Sequence, residues 1–134
     1  MKRIDVAVGI VVRAGRILIC QRRAAGAFGG YWEFPGGKCE PGESASQCIV
    51  RELTEELAIE TRPTQALEIW EHDYPTLHVR LHPFLCELTE GEPQPVECVQ
   101  VKWVEPPRLI DYRFPEANEP LIRSVIGLLG GASG

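Results

Sequence analysis

Apolar residues in the first third of the chain fall in short β-branched blocks, not at helical spacing. IDVAVGIVV (4–12) and RILIC (16–20) read as two strands joined by a turn at Ala14-Gly15. AAGAFGG (24–30) is a glycine-rich loop, and the turn-rich stretch YWEFPGGKCEPGE then leads into a helix over 44–57. In that helix Ile49, Leu53 and Leu57 recur on one face, and Ser44 or Glu43 is placed to cap its start. Arg62-Pro63 is expected to close this unit. Two further strand-like runs, ALEIWEHDY and LHVRLHPFLCEL, flank Pro75-Thr76 and predict a hairpin. After the loop EGEPQP, ECVQVKWVE alternates as a strand does, and Pro106-Pro107 starts a short helical turn. Residues 115–129 predict a last helix, with Leu121, Ile122, Val125, Ile126 and Leu129 on one face. Strands, helix, strands, helix is the order of an α/β domain with a mixed sheet. Without a repeat or a dividing linker, residues 1–129 are expected to form one domain and GGASG (130–134) a flexible tail.

Composition narrows the setting. The chain is 44% hydrophobic and 25% charged, as globular domains are, and no apolar run approaches the roughly 20 residues that span a bilayer. The basic start followed by apolar residues is interrupted by Asp5 and Arg13 and lacks a small-residue cleavage site, so it reads as a strand and not as a signal peptide. Five scattered cysteines with no CxxC pair argue against a disulfide framework or structural zinc and fit a reducing cytoplasm. His72, His78 and His82 lack the second cluster that a zinc site needs, although His78 and His82 can share a strand face. A net charge of −5 argues against gripping long nucleic acid, but a small polyphosphate remains compatible if divalent cations lie between the two sets of negative charge.

The candidate chemistry is in the first helix. Glu52, Glu55 and Glu56 stand at i, i+3 and i+4, within an arc of about 100° and away from the apolar face. Such a run also suits a solvated helix face. Its neighbours favour a ligand site: a glycine pair just upstream, Glu43 at the loop–helix junction, and Arg51 placed to pair with a carboxylate. Clustered hard oxygen donors on a rigid element are what magnesium or manganese takes.

Gly37, Glu43, Arg51-Glu52, Leu53, Glu55-Glu56 and Ile59 stand at the spacing of the Nudix box, and the chain resembles that hydrolase family. The one departure is Ala58, where the family pattern has glycine. The likeness extends through VAVGIVV, QRRAAGA, EFPGGKCEPGE, EGEP and FPEANEPLI to the MutT-like branch, whose activity removes 8-oxo-dGTP from the nucleotide pool in support of DNA replication and repair. It implies a mixed β-sheet sandwiched between helices and a monomer whose partner is a small nucleoside triphosphate, with no membrane involved. The cofactor implied is Mg²⁺, with Mn²⁺ as its substitute. The implied ligands are Glu52, Glu55, Glu56 and Glu97 with the carbonyl of Gly37, supported by a Glu43–Arg51 ion pair. Glu52 is the first candidate for the base that takes a proton from water, and Glu97 the next.

For the substrate, the resemblance implies that Asn118 reads the oxidised base, Arg23 contacts the nucleotide and Phe34 lines the base pocket. 8-Oxoguanine offers an acceptor at O6 beside a donor at N7–H, which a carboxamide complements, whereas guanine offers two acceptors. Asn118 also suits a helix N-cap, Arg23 a strand-end charge, and Phe34 a core position. Leu77 stands where the MutT-like pattern has a charged residue. The alternatives are hydrolysis of CTP or a 5-modified dCTP, and a catalytically inert nucleotide-sensing domain.

Overall fold

In the computed structural model residues 2–130 are described. Twelve-residue strand β1 (Lys2–Arg13) is central because its middle is apolar on both faces: Ala7, Val8, Ile10 and Val11 are all buried. The chain turns at 14–15 into β2 (Arg16–Gln21), then forms two short strands, β3 (Trp32–Glu33) and β4 (Gly36–Lys38), before helix α1 (Ala45–Leu57). Next come β5 (Glu60–Ala66), β6 (Trp70–Tyr74), β7 (Leu77–Glu90) and β8 (Gln100–Val104). A 3₁₀ turn at Pro106–Asp111, a shorter one at Glu116–Asn118 and helix α2 (Glu119–Leu129) end the described chain.

The sheet is mixed. β3, β2, β1, β7 and β5 are neighbours in that order, β1 runs parallel to β7, and β4, β6 and β8 pair with β1, β7 and β2 respectively. Alternation along the strands feeds two cores. Ala7, Val11, Leu18 and Cys20 pack with Ile49, Leu53 and Leu57 of α1. Val8, Ile10, Ile17, Ile19, Trp32 and Phe34 pack with Leu121 and Val125 of α2. Burying a Leu, Ile or Val side chain contributes about 1.5–3 kcal/mol, so these two layers hold the helices on opposite faces. Gly9 sets the α1 distance: a Cβ there would lie 3.2 Å from a methyl of Leu53 and 3.3 Å from one of Ile49. Helix α1 starts at a capping box, in which Ser44 Oγ accepts from Gln47 N–H and the Gln47 side chain accepts from Ser44 N–H.

Four expectations change. Arg62-Pro63 does not close a unit but lies inside β5; β5 ends the order of paired strands and carries a register shift between Pro63 and Gln65, where a proline is tolerated. The turn-rich stretch before α1 contains β3 and β4. The final helix is α-helical only from Glu119, after the 3₁₀ turn. Of the expected tail, Gly130 caps α2 through its N–H to Ile126 O, and residues 131–134 lie outside the described residues.

Candidate active site

Strand β4 lies beside β1, with Gly37 opposite Ala7, and this places the glycine pair under α1. A Cβ at Gly37 would overlap the Glu52 carboxylate, so only glycine lets backbone and carboxylate come together there. Gly36 N–H donates to Glu56 Oε2 at 3.2 Å, and Cys48 Sγ–H donates to Gly37 O at 3.5 Å. The turn is thereby fixed against the acidic side of the helix.

Arg51 compensates the clustered carboxylates. Its Nε and Nη2 donate to the two oxygens of Glu43 at 2.7 and 2.9 Å, and its Nη1 to Glu52 and Glu55 at 2.9 Å each. Nη2 also reaches Lys38 O at 3.1 Å, which ties the loop to the helix. The fork-on-fork contact is the strong form of an Arg–carboxylate pair. Arg51, then the Glu40 N–H, holds the Glu43 carboxyl down to about 2.

The other carboxylates are pushed upward. Glu56 is 6% exposed, and its pKa is raised to about 8, first by burial and then by the charge of Glu33. Glu52 is raised by burial, against the opposing pull of Arg51, with Glu55 and Glu97 adding repulsion. Glu97 is exposed on the loop before β8, and its field reaches Glu52. Glu33 is a site residue that the sequence reading missed. It points away from its core neighbours Trp32 and Phe34, is itself raised by burial, and accepts from Arg22 Nη1 at 2.8 Å. The alternation of WEF was the signal that could have found it.

Among the described residues no three His, Cys, Asp or Glu side chains converge tightly enough to hold a metal ion as they stand. The donor chemistry nevertheless fits a hard divalent cation. Glu52 lies against the Gly37 backbone, Glu56 against Gly36, and Glu97 is near enough to perturb Glu52. Burial of anionic groups with few cations is a cost that a divalent ion offsets.

The substrate-binding candidates lie mainly beyond this cluster. Phe28, Trp70, His72, Tyr74, Leu81 and Ala117 line a cleft of 420 Å³. Asn118 follows Ala117 and is half-buried; it stands at the N-cap position of α2 but makes no capping bond, and its Nδ2 donates instead to Pro115 O at 3.4 Å. Phe34 is 4% exposed and packs on Phe114. Arg23 Nη2 donates to Val96 O at 3.1 Å, beside Glu97. Leu77 pairs with Tyr74 across the hairpin.

The family model described as the NUDIX domain matches residues 7–124. The 8-oxo-dGTP diphosphatase of Escherichia coli (strain K12) is 40% identical over 91% of this chain and 95% of its own length. The CTP pyrophosphohydrolase of the same organism is 35% identical over 96% of this chain and 95% of its own length. The solution structure of the E. coli ORF135 protein superposes with a TM-score of 0.83 at 34% identity, covering 98% of this chain and 94% of that one.

Proposed function

The chain belongs to the Nudix family of hydrolases, and from that premise we propose that it cleaves 8-oxo-dGTP to 8-oxo-dGMP and pyrophosphate with a divalent cation, Mg²⁺ or Mn²⁺. The observation that carries the chemistry is the packing of the Gly36–Gly37 turn against Glu52 and Glu56. Glu52, Glu55, Glu56 and Glu97 with the Gly37 carbonyl are the proposed ligands. A divalent cation bound there would neutralise phosphate oxygens and lower the pKa of a water. Glu52, its pKa raised from the ordinary value by burial, takes the proton of the attacking water, with Glu97 as the other candidate base. Water adds to the β-phosphorus, the bond from that phosphorus to the oxygen bridging it to the α-phosphorus breaks, and 8-oxo-dGMP leaves with that oxygen while the pyrophosphate keeps the oxygen of water. Arg51, gripped by Glu43, keeps helix and loop in register while the phosphates are held. Arg23 is proposed to meet the nucleotide near the phosphates.

The base is read at Asn118. Its carboxamide is half-buried and is not used as a helix cap, so it is available to pair with O6 and N7–H of the oxidised base. Phe34 is proposed to back this pocket from the core. The relative named as an 8-oxo-dGTP diphosphatase supports this reading, and the one named as a CTP pyrophosphohydrolase, at 35% identity, supports a cytidine triphosphate as the second. The five cysteines are all free, which suits a reducing cytoplasm.

Pyrophosphate release is measured with 8-oxo-dGTP, dGTP, CTP and 5-methyl-dCTP in Mg²⁺ and in Mn²⁺. The expected result is the highest kcat/KM on 8-oxo-dGTP. A cytidine preference replaces the substrate reading, and folded protein without turnover on any of them replaces the enzyme with a nucleotide sensor.

A further inference from the structure

The β6–β7 hairpin has two unlike faces. Its register pairs Trp70 with Leu81 and Tyr74 with Leu77 on one side, and Glu71 with Arg80 and Asp73 with His78 on the other. Trp70, Tyr74 and Leu81 line the 420 Å³ cleft, as does Glu71 from the other face of the strand. On the polar face one side chain bridges two carboxylates of β6: His78 Nδ1 lies 2.5 Å from Asp73 Oδ1, and His78 Nε2 lies 2.7 Å from Glu71 Oε1. A neutral imidazole has a single N–H and satisfies only one carboxylate, whereas the imidazolium donates to both.

The surroundings favour that charged form. Asp73, then Glu71, raises the His78 pKa above its ordinary value. On β7 itself, Arg80 Nε is 3.6 Å from Glu71 Oε1. From neighbouring β1, Arg3 is opposite His78 and Asp5 opposite Arg80; Asp5 is bonded to His82 at 2.9 Å and to Arg3 at 3.5 Å. The carboxylates beside the ring are thus balanced by cations that do not replace it between Asp73 and Glu71. Because the folded-state pKa is raised, the clamp is complete below the ordinary histidine pKa of about 6.5 and is released as pH rises through the raised value.

We propose that His78 is a positioning residue for the nucleoside: bonded to Asp73 and to Glu71, which itself lines the cleft, it fixes the aromatic wall formed by Trp70 and Tyr74 without itself touching the nucleotide. This rests on the reading of the cleft as the place of the nucleoside. Glu52 and Gly37 belong to α1 and β4, so the clamp governs affinity and leaves the hydrolytic step alone.

The test is binding of the monophosphates 8-oxo-dGMP, dGMP and CMP to the full chain without metal, followed by tryptophan fluorescence between pH 6.5 and 9. Steady-state kinetics on the matching triphosphates run in parallel. His78→Gln is expected to raise Kd and KM for the preferred nucleotide about three- to fivefold at neutral pH, the scale of a partly exposed charge pair, with kcat within about twofold. His78→Lys keeps a cation between the carboxylates and is expected to bind as the wild type does near neutrality. The ratio of wild-type to His78→Lys Kd cancels ionisation of the nucleotide and should climb about threefold toward high pH. An unchanged Kd in His78→Gln, a fall in kcat as large as the loss of affinity, or a pH-independent ratio overturns the proposal. If His78→Gln does not fold, the ratio decides. Preference for CMP overturns the substrate reading instead, and the same comparison is then made on CMP.

Discussion

Ala58 ends α1 with φ 57° and ψ 37°, the left-handed conformation that the Nudix pattern reserves for glycine. Replacing it with glycine isolates the cost of that backbone. A Cβ in this region costs about 1–2 kcal/mol relative to glycine. Against that, glycine loses more freedom on folding, which takes back about 0.5–1 kcal/mol. Ala58 is exposed, so its methyl removes no core contact, and its N–H to Thr54 O at 3.0 Å is retained by glycine. The net expectation is a stabilisation of roughly 0.5–1 kcal/mol. For 134 residues the unfolding entropy is about 0.28 kcal/mol/K, which converts this to a rise in Tm of about 2–4 °C. Circular dichroism melts of Ala58→Gly against wild type read the shift, and urea titration checks that m is unchanged. A Tm that stays put or falls at constant m would show that the turn carries no left-handed strain. Ala58→Val, β-branched in the same conformation, should move Tm the other way.

The same logic applies at Ala14, with φ 51° before Gly15 at φ 76°: Ala14→Asn creates the Asn-Gly pair that this hairpin turn prefers, and Tm should rise by about 1–3 °C in the same melts. Glu52→Gln should lower kcat at least about a hundredfold while Tm stays within a few degrees, because the amide avoids burying a carboxylate; loss of the folded state would make Glu52 structural. Asn118→Ala should lower kcat/KM on 8-oxo-dGTP about 5- to 150-fold and affect dGTP much less, as expected for one mismatched buried amide; equal losses would remove Asn118 from base reading. The Glu43 pKa falls from 4.5 to about 2 on folding, so its contribution to stability is present above 4.5 and is lost as pH drops through 2. Acid titrations of urea stability should therefore be flatter between those limits in Glu43→Gln than in wild type, and identical slopes would refute the pairing.

Helix α1, its Ser44 cap and the β6–β7 hairpin were legible because each rests on local signals: an apolar repeat, a capping residue, a Pro-containing turn. Strands β3 and β4 were not, since two or three residues leave no period to detect. Pro63 misled for a physical reason, because it reads as a breaker and yet an end strand with a register shift accommodates it. In the site, spacing revealed Gly37, Glu43, Arg51 and the three helix glutamates but treated those glutamates alike. Burial separates them: Glu56 is nearly enclosed and held by Gly36, whereas Glu55 is exposed on the rim with Arg51. Glu33 was hidden because its effect on Glu56 exists only after β3 and β4 bring EFPGG under α1.

The sheet also separates the two sets of candidate site residues. Glu33 and Phe34 are adjacent in sequence, yet one joins the electrostatics of Glu56 and the other the core beneath α2. Along this segment, alternation turns Glu33 toward the α1 face and Phe34 toward the α2 face. Asn118, Tyr74 and Leu77 lie on elements other than β4 and α1, which carry Gly37 and Glu52, so a change at any of the three is expected to leave the Gly37–Glu52 contact untouched. The residues to exchange between the two proposed specificities are therefore those on the cleft face. Glu33 and Phe34 make their own demand: the two are chain neighbours facing opposite ways, and a substitution at either is expected to perturb the surroundings of the other, so these two positions should tolerate change less well than Leu77.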